Sequence, residues 1–402
     1  MSSVLPFDII ALIIDIVGEN KDTKLLKELA LVSYSFLQIC SKHLFAAVEL
    51  HDAFNFPMCQ VASSKKGFVK LLKSRPDVVK YIRKLTYKVD SIYKDDYLLS
   101  PILPKFLRTI PHLNCLTIKG SKLDWNTLDS SLTSAFLYLM HLPTINHIDL
   151  SFIYDFPLSS FNPTANLHRL DILYLRRFDG LEEEADSSEI VVQSVMTPKI
   201  REFHALGSTL LTTKLLNAKT QDGRPAFNFT DLRRLSTCFE DEWNLRYLLQ
   251  NTKLLEKLHL SVGRDRSLVG LHDTLFPIAR NLKVLDLTLF LPLTGLCEEL
   301  EAMAGHNMLE ALSFEVDVDG HETEDFIGSI IQNVEKVLVK PGWPALRHVS
   351  FKVAIACCLV SKEESAKLSK ALQSLPDKYL SHILTLESVA FEYSAYVVKC
   401  TL

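Results

Sequence analysis

The stretch Asn281-Leu282-Lys283-Val284-Leu285-Asp286-Leu287 sets apolar side chains at Leu282, Leu285 and Leu287, with Asp286 between the last two. Such alternation belongs to a short strand, whose successive side chains point to opposite faces. The same apolar-x-x-apolar-x-apolar spacing recurs upstream as Ile82-Leu85-Tyr87, Leu113-Leu116-Ile118, Ile145-Ile148-Leu150, Leu170-Leu173-Leu175, Ile200-Phe203-Ala205, Leu232-Leu235-Thr237 and Leu255-Leu258-Leu260. Downstream it continues as Leu309-Leu312-Phe314, Leu346-Val349-Phe351 and Leu386-Val389-Phe391. A short polar entry with Pro or Asn commonly comes first, as in Ile110-Pro111-His112, Ala279-Arg280-Asn281 and Gly342-Trp343-Pro344. Helical patterns lie between the strands, at residues 67–72, 132–140 and 364–375.

One strand and one helix cannot bury their own apolar faces, whereas stacked neighbours bury a continuous core. The pattern therefore predicts an α/β fold with parallel strands in one sheet; an ordinary α/β domain with similar alternation is the alternative. Alternation also predicts which side chains share the polar face of that sheet: Lys119, His147, Asp149, Tyr174, Arg176, Glu202, His204, Arg234, Lys257, His259, Asp286, Glu315, His348, Lys352 and Glu392. Both signs of charge mixed with aromatics suit a protein or peptide better than a phosphate backbone. A merely solvated sheet face is the other reading.

Bulk properties bound the rest. A chain of 402 residues is long for one compact core, which favours several domains or a repeat array. With 48% hydrophobic and 23% charged residues the composition is that of a globular protein, and a net charge of −4 provides no field for nucleic acid or anionic lipid. The eight cysteines are scattered and form no CxxC pair, which suggests reduced thiols inside the cell. Residues 4–17 are apolar, but no Lys or Arg precedes them and Asp8 and Asp15 interrupt them, unlike a secretory signal. No uncharged apolar run of about 18 residues is present, so no membrane span is expected. A soluble intracellular protein, cytoplasmic or nuclear, is the expectation.

The first 50 residues read differently from the rest. Leu5-Pro6 followed by Asp8 opens a helix, since proline is tolerated at a helix start and an early acid suits the dipole. Gly18-Glu19-Asn20 is expected to end it through a left-handed turn. Asp22 or Thr23 then caps a second helix through about Val32, and Ser33 and Ser35 break it and cap a third. On the first helix Asp8, Ala11 and Asp15 share a narrow sector, while Phe7, Ile9, Ile10, Leu12, Ile13, Ile14, Ile16 and Val17 sweep an arc of roughly 220°, about twice that of an ordinary surface helix. Two short helices cover about half of it; the following domain or a second protein must meet the remainder.

Leu5-Pro6-Phe7-Asp8-Ile9-Ile10, Ile13, Leu29-Ala30-Leu31-Val32-Ser33, Phe36 and His43-Leu44-Phe45 together resemble the F-box-like motif common in fungal proteins. The resemblance implies that Leu5, Pro6, Ile9, Ile13, Leu29, Val32 and Phe36 form the module and its surface for the Skp adaptor of a cullin–RING ubiquitin ligase. Phe36 stands where a tryptophan is usual, and Tyr34 where a basic residue is usual. The remainder, residues 51–402, looks like the degenerate leucine-rich repeats that follow such modules, with parallel strands on a concave face and helices on a convex one. Its spacing of roughly 23 to 40 residues straddles the usual 20–29.

Catalytic signatures are missing from the sequence. No GxGxxG, GxxxxGK[ST] or GxSxG occurs, and His321-Glu322 lacks a second histidine at Asp325. The adjacent Cys357-Cys358 pair reads as structural thiols, and the acidic run Glu182-Glu183-Glu184 with Asp186 as a solvated loop. No catalytic residue, metal or cofactor is nominated. The expected partners are the Skp adaptor and an unidentified protein substrate, with neither nucleic acid nor membrane. A stand-alone repeat scaffold is the alternative function; an unrecognised hydrolase or thiol enzyme lacks any nameable nucleophile–base pair.

Overall fold

The computed structural model describes residues 6–51, 62–89, 102–158, 164–175, 191–192, 197–239, 241–264, 266–291, 293–319, 324–357, 362–380, 382–383 and 389–399. The chain forms two compact units, residues 1–199 with 210–228, and 200–209 with 229–402. Leu5, Arg176, the acidic run at 182–186, His321-Glu322 and Cys358 lie outside the described residues.

The first unit begins with three helices, α1 (Phe7–Glu19), α2 (Thr23–Ala30) and α3 (Tyr34–Leu44). Asp22 caps α2 by accepting from the Leu25 N–H, and Ser33 caps α3 by accepting from Phe36 N–H, each satisfying an amide that a helix start leaves orphaned. Gly18 does not make the turn after α1. That turn falls on Lys21, at φ 58°, and a Cβ at Gly18 would lie 2.2 Å from the His43 ring. The glycine is there so that α1 and α3 can approach closely.

The strands of this unit are β1 (Ala47–His51), β2 (Ala62–Ser64), β3 (Lys84–Val89), β4 (Cys115–Asp124), β5 (His147–Tyr154) and β6 (Arg169–Leu173). They lie in the order β2-β1-β3-β4-β5-β6, every neighbour parallel. Helices α4 (Lys65–Ser74), α5 (Ile102–Leu107) and α6 (Ser130–Met140) fall between strands in sequence. Val48, Leu85, Leu116, Ile148 and Leu170 stand side by side in register and are all buried. Two residues along, Leu50, Tyr87, Ile118, Leu150 and Ile172 form a second buried row. Tyr87 meets Phe136 of α6 edge-on, with ring centroids 4.9 Å apart, so this face is the one the helices cover. A separate parallel pair joins β7 (Val191–Val192) to β9 (Lys219–Thr220), which follows α7 (Thr209–Asn217).

The second unit repeats the plan. Strands β8 (Glu202–Leu206), β10 (Arg234–Cys238), β11 (Lys257–Ser261), β12 (Val284–Phe290), β13 (Ala311–Asp319), β14 (His348–Cys357) and β15 (Ala390–Lys399) follow one another in space as in sequence, all parallel. Between them in sequence run α8 (Glu242–Asn251), α9 (Leu271–Leu275), α10 (Leu296–Met303), α11 (Glu324–Leu338), α12 (Lys362–Gln373) and α13 (Leu375–Tyr379). Phe203, Leu235, Leu258, Leu285, Leu312, Val349 and Phe391 form one row in register.

Within each unit the same backbone device joins successive strands. Ala46 O accepts from the N–H groups of Arg83 and Lys84, Arg83 O from Asn114 and Cys115, Asn114 O from Asn146 and His147, and Asn146 O from His168 and Arg169, all at 2.7–3.1 Å. In the second unit Arg201 O, Arg233 O, Glu256 O, Lys283 O and Glu310 O each accept two such amides over the same distance range. One carbonyl, with two lone pairs, thus anchors the entry of the next strand. Side chains of the polar entries reinforce it: Thr144, Thr164 and Thr252 donate to the carbonyls of Leu113, Ile145 and Leu232, and Asn281 donates to that of Lys253.

Two repeat frames differ from the sequence reading. Leu170 aligns with Ile148, so the fourth unit is Leu167-x-x-Leu170-x-Ile172 rather than Leu170-Leu173-Leu175. A shift of three is odd, which turns every side chain to the opposite face. Phe391 aligns with Val349, which moves the last unit by two and leaves its faces unchanged.

Candidate functional site

Two surfaces carry side chains that the core does not use. The first is α1. Of its apolar residues only Ile14 is fully buried, packed with Leu26 and Cys40, while Ile10, Val17, Leu29 and Phe36 border that small core. Ile9, Leu12, Ile13 and Ile16 are 45%, 57%, 47% and 50% exposed. Their i, i+3, i+4, i+7 spacing makes one continuous stripe. Asp15 is instead turned onto α3, where its carboxylate meets Lys42 Nζ at 2.6 Å and His43 Nε2 at 2.7 Å. Those hydrogen bonds, to Lys42 first and then to His43, hold its carboxyl below the usual carboxylate range. One apolar face of the helix, Ile14 with Ile10 and Val17, packs into the module, while a second, the Ile9, Leu12, Ile13 and Ile16 stripe, faces water. At the α2–α3 turn Leu31, Val32 and Tyr34 are exposed as well.

Of the residues that the resemblance singles out, Pro6, Ile9, Ile13 and Val32 are exposed, whereas Leu29 and Phe36 are partly buried against the module's own core.

The second surface is the polar face of the strands. In the second unit Arg234 pairs with Glu202 at 3.1 Å and Lys257 with Asp286 at 2.7 Å, while Tyr396 donates to Glu315 at 3.1 Å. Lys352 is exposed and stands beside Glu315 in register. His204 lies beside Ser236 in the ladder. His259 sits between two hydroxyls, Ser236 Oγ at 2.6 Å from Nδ1 and Thr288 Oγ1 at 3.0 Å from Nε2. Burial holds this imidazole below its ordinary range, so it is neutral and exchanges hydrogen bonds with its two neighbours.

In the first unit Lys119 reaches Asp149 at 3.3 Å, and Asp149 is buried. Tyr174 falls beyond the end of β6, at φ 52°, and stacks on Phe152, itself at φ 56°, with centroids 4.9 Å apart. The frame shift in β6 explains its displacement and puts Arg169 and Asp171 on the face in its stead.

That substitution completes a cluster which the sequence reading did not name. His147 Nδ1 is 3.2 Å from Cys115 Sγ and its Nε2 is 2.9 Å from Asp171 Oδ2. Arg169 holds the same carboxylate through Nε and a terminal nitrogen, both at 3.0 Å to Oδ2. Cys115, His147 and Arg169 are neighbours in register on three consecutive strands. Burial disfavours a charged imidazole here, but the hydrogen bonds to Asp171 and Cys115, with their charges, outweigh it and raise His147 to about 9. Only the wrong frame in β6 concealed the third member of the cluster.

A stability prediction follows from that shift. The folded-state value lies above the unfolded 6.5, so the contribution is fully present below about pH 6.5 and is lost as pH rises through about 9. Unfolding free energies from denaturant titrations at pH 6.5 and 10 should differ by about 2–3 kcal/mol more in the parent than in Asp171→Asn, in which the carboxylate is gone. Equal slopes in the two proteins would refute the linkage.

Among the described residues no helix is long and apolar enough to cross a membrane, and no group of three or more His, Cys, Asp or Glu is arranged to hold a metal ion. Compared with protein-family models and with curated proteins, the chain matches none.

Proposed function

We propose that this chain is a non-catalytic substrate-recognition adaptor of an SCF-type cullin–RING ubiquitin ligase. Its helical module binds the Skp adaptor, and its strand–helix units, degenerate leucine-rich repeats, hold a protein substrate on the polar face of the strands. The observation that carries this reading is the second, water-facing apolar stripe of the first helix. Water penalises the exposed isoleucines by roughly 25 cal/mol per Å², and Ile9, Ile13 and Val32 are among the positions that the F-box-like resemblance assigns to the adaptor. Register adds support, because the same strand position is apolar on one face and polar on the other along both units.

The test uses the full-length chain. Alone it is expected to self-associate; mixed or co-expressed with purified Skp adaptor it should elute as a single complex by size exclusion. A monodisperse chain that forms no complex would leave the stand-alone scaffold in place of the ligase role. Reversing charge at Lys257→Glu and Glu315→Lys should leave the adaptor complex intact and weaken client capture by about 1 kcal/mol each, as is usual for exposed contacts. Quantitative mass spectrometry of the proteins co-purified with each variant measures this, and unchanged recovery would move recognition off the sheet.

A further inference from the structure

We propose that Cys115 is a reactive thiol on the polar face of the first unit, activated by His147 and modified by small, carboxylate-bearing disulfides. The argument starts from geometry. A nucleophile, a base and a group that orients the base are joined by two hydrogen bonds, Cys115 Sγ to His147 Nδ1 at 3.2 Å and His147 Nε2 to Asp171 at 2.9 Å. This is an arrangement in which a histidine stands beside the sulfur while a carboxylate fixes the ring and stabilises its charge. Three consecutive parallel strands supply it, so the spacing is set by the ladder itself, which is stiffer than a loop.

Electrostatics agree with the geometry. At neutral pH a histidine raised to about 9 carries both ring protons. Its Nε2–H donates to Asp171, and its Nδ1–H is left to point at the sulfur of Cys115. Arg169 also holds Asp171, at 3.0 Å to the oxygen that His147 bonds. Cys115 is only partly buried. In the adjacent rung stands the exposed Lys84, and Lys119 lies four residues along β4. Lys119 is already held by Asp149 at 3.3 Å, so the exposed Lys84 is the cation that suits a co-reactant bearing a carboxylate.

The step balances as thiol–disulfide exchange. Cys115 loses its proton to water, since His147 already carries both of its own, and the resulting thiolate, beside the imidazolium, attacks one sulfur of the disulfide. The Sγ–S bond forms as the old S–S bond breaks. The departing sulfur leaves with the electron pair as a thiolate and takes up one proton, so one protein thiol and one disulfide become one mixed disulfide and one free thiol. No metal or further oxidant enters.

Cys40 and Cys297 provide internal references, since burial pushes both thiols up. The full-length protein is treated separately with iodoacetamide and with oxidised glutathione from pH 5.5 to 9, and each cysteine is followed by peptide mass spectrometry. Cys115 should alkylate at least tenfold faster than either reference at pH 7 and keep that rate at pH 6, where an ordinary thiol of pKa about 8.5 has slowed strongly. It should also acquire a glutathione adduct that reductant removes. His147→Gln should slow both reactions at least tenfold, with circular dichroism checking the fold. If that variant fails to fold, the pH profile of the parent decides alone. A Cys115 rate within twofold of the references, a profile that follows an ordinary thiol, or alkylation without mixed disulfide overturns the proposal. No ligase subunit or client is present, so the result stands apart from the proposed adaptor role.

Discussion

Ile9→Asp combined with Ile13→Asp is expected to lower affinity for the Skp adaptor at least 100-fold while leaving the fold unchanged. Both side chains are about half exposed, so an aspartate at either position desolvates no charge in the free protein. In a complex, each would bury a carboxylate where an apolar anchor had been. Central anchors of an interface typically contribute 2 kcal/mol or more apiece, and 100-fold is about 2.7 kcal/mol. The same double substitution should cure self-association, because it breaks the stripe formed with Leu12 and Ile16. Isothermal titration calorimetry against the purified adaptor, with thermal unfolding of the same samples, measures both effects. Retained affinity would show that α1 is not the docking element. Leu29 and Phe36 are poorer probes, since both pack against the core of the module.

Phe314→Ala is expected to cost about 3–5 kcal/mol of stability in the second unit. The ring is fully buried on β13 and tilts against Phe351 of β14, with centroids 5.3 Å apart. Removing it leaves a cavity in the middle of a ladder whose register is pinned on both sides by shared carbonyls, so the walls have little freedom to close in. Phe314→Leu, which keeps most of the volume, should lose far less. Urea unfolding followed by circular dichroism tests the pair; equal losses for the two variants would mean that packing volume at this rung is not what stabilises it.

Much of this architecture was legible in the sequence because its period is enforced at each rung. The parallel strands predicted around Leu116, Ile148, Leu258, Leu285 and Leu312 stand where the apolar spacing placed them, and α6 covers the stretch read as helical. The miss in β6 has a physical source. Leu167-Leu170-Ile172 and Leu170-Leu173-Leu175 both satisfy the spacing, in overlapping frames, and only the register with β5 selects between them. Faces were therefore assigned wrongly in that one strand, which brought Tyr174 onto the list and hid Arg169 and Asp171. Gly18 was misread for a related reason. A glycine near a helix end signals a turn by local rules, while its use here, against His43, depends on a helix that begins sixteen residues later in the chain. The cysteine–histidine pair was invisible for a third reason: Cys115 and His147 are remote in sequence and meet only across the ladder.

The shared carbonyls have a consequence for how such a chain tolerates change. At each of the nine shared carbonyls described above, the next strand is positioned by one acceptor at the entry end of its predecessor, and nothing in that linkage refers to how many residues intervene on the helical side. From Asn114 to Asn146 the path runs through α6, while from Asn146 to His168 it contains no α-helix among the described residues, yet both steps place the next strand by the same pair of hydrogen bonds. Insertions and deletions are thus insulated from the polar face of the strands: the connecting arcs are free to lengthen or shorten while the order and spacing of the side chains along the sheet persist. Irregular spacing, a nuisance to a reader of the sequence, is the freedom that this linkage leaves to the chain.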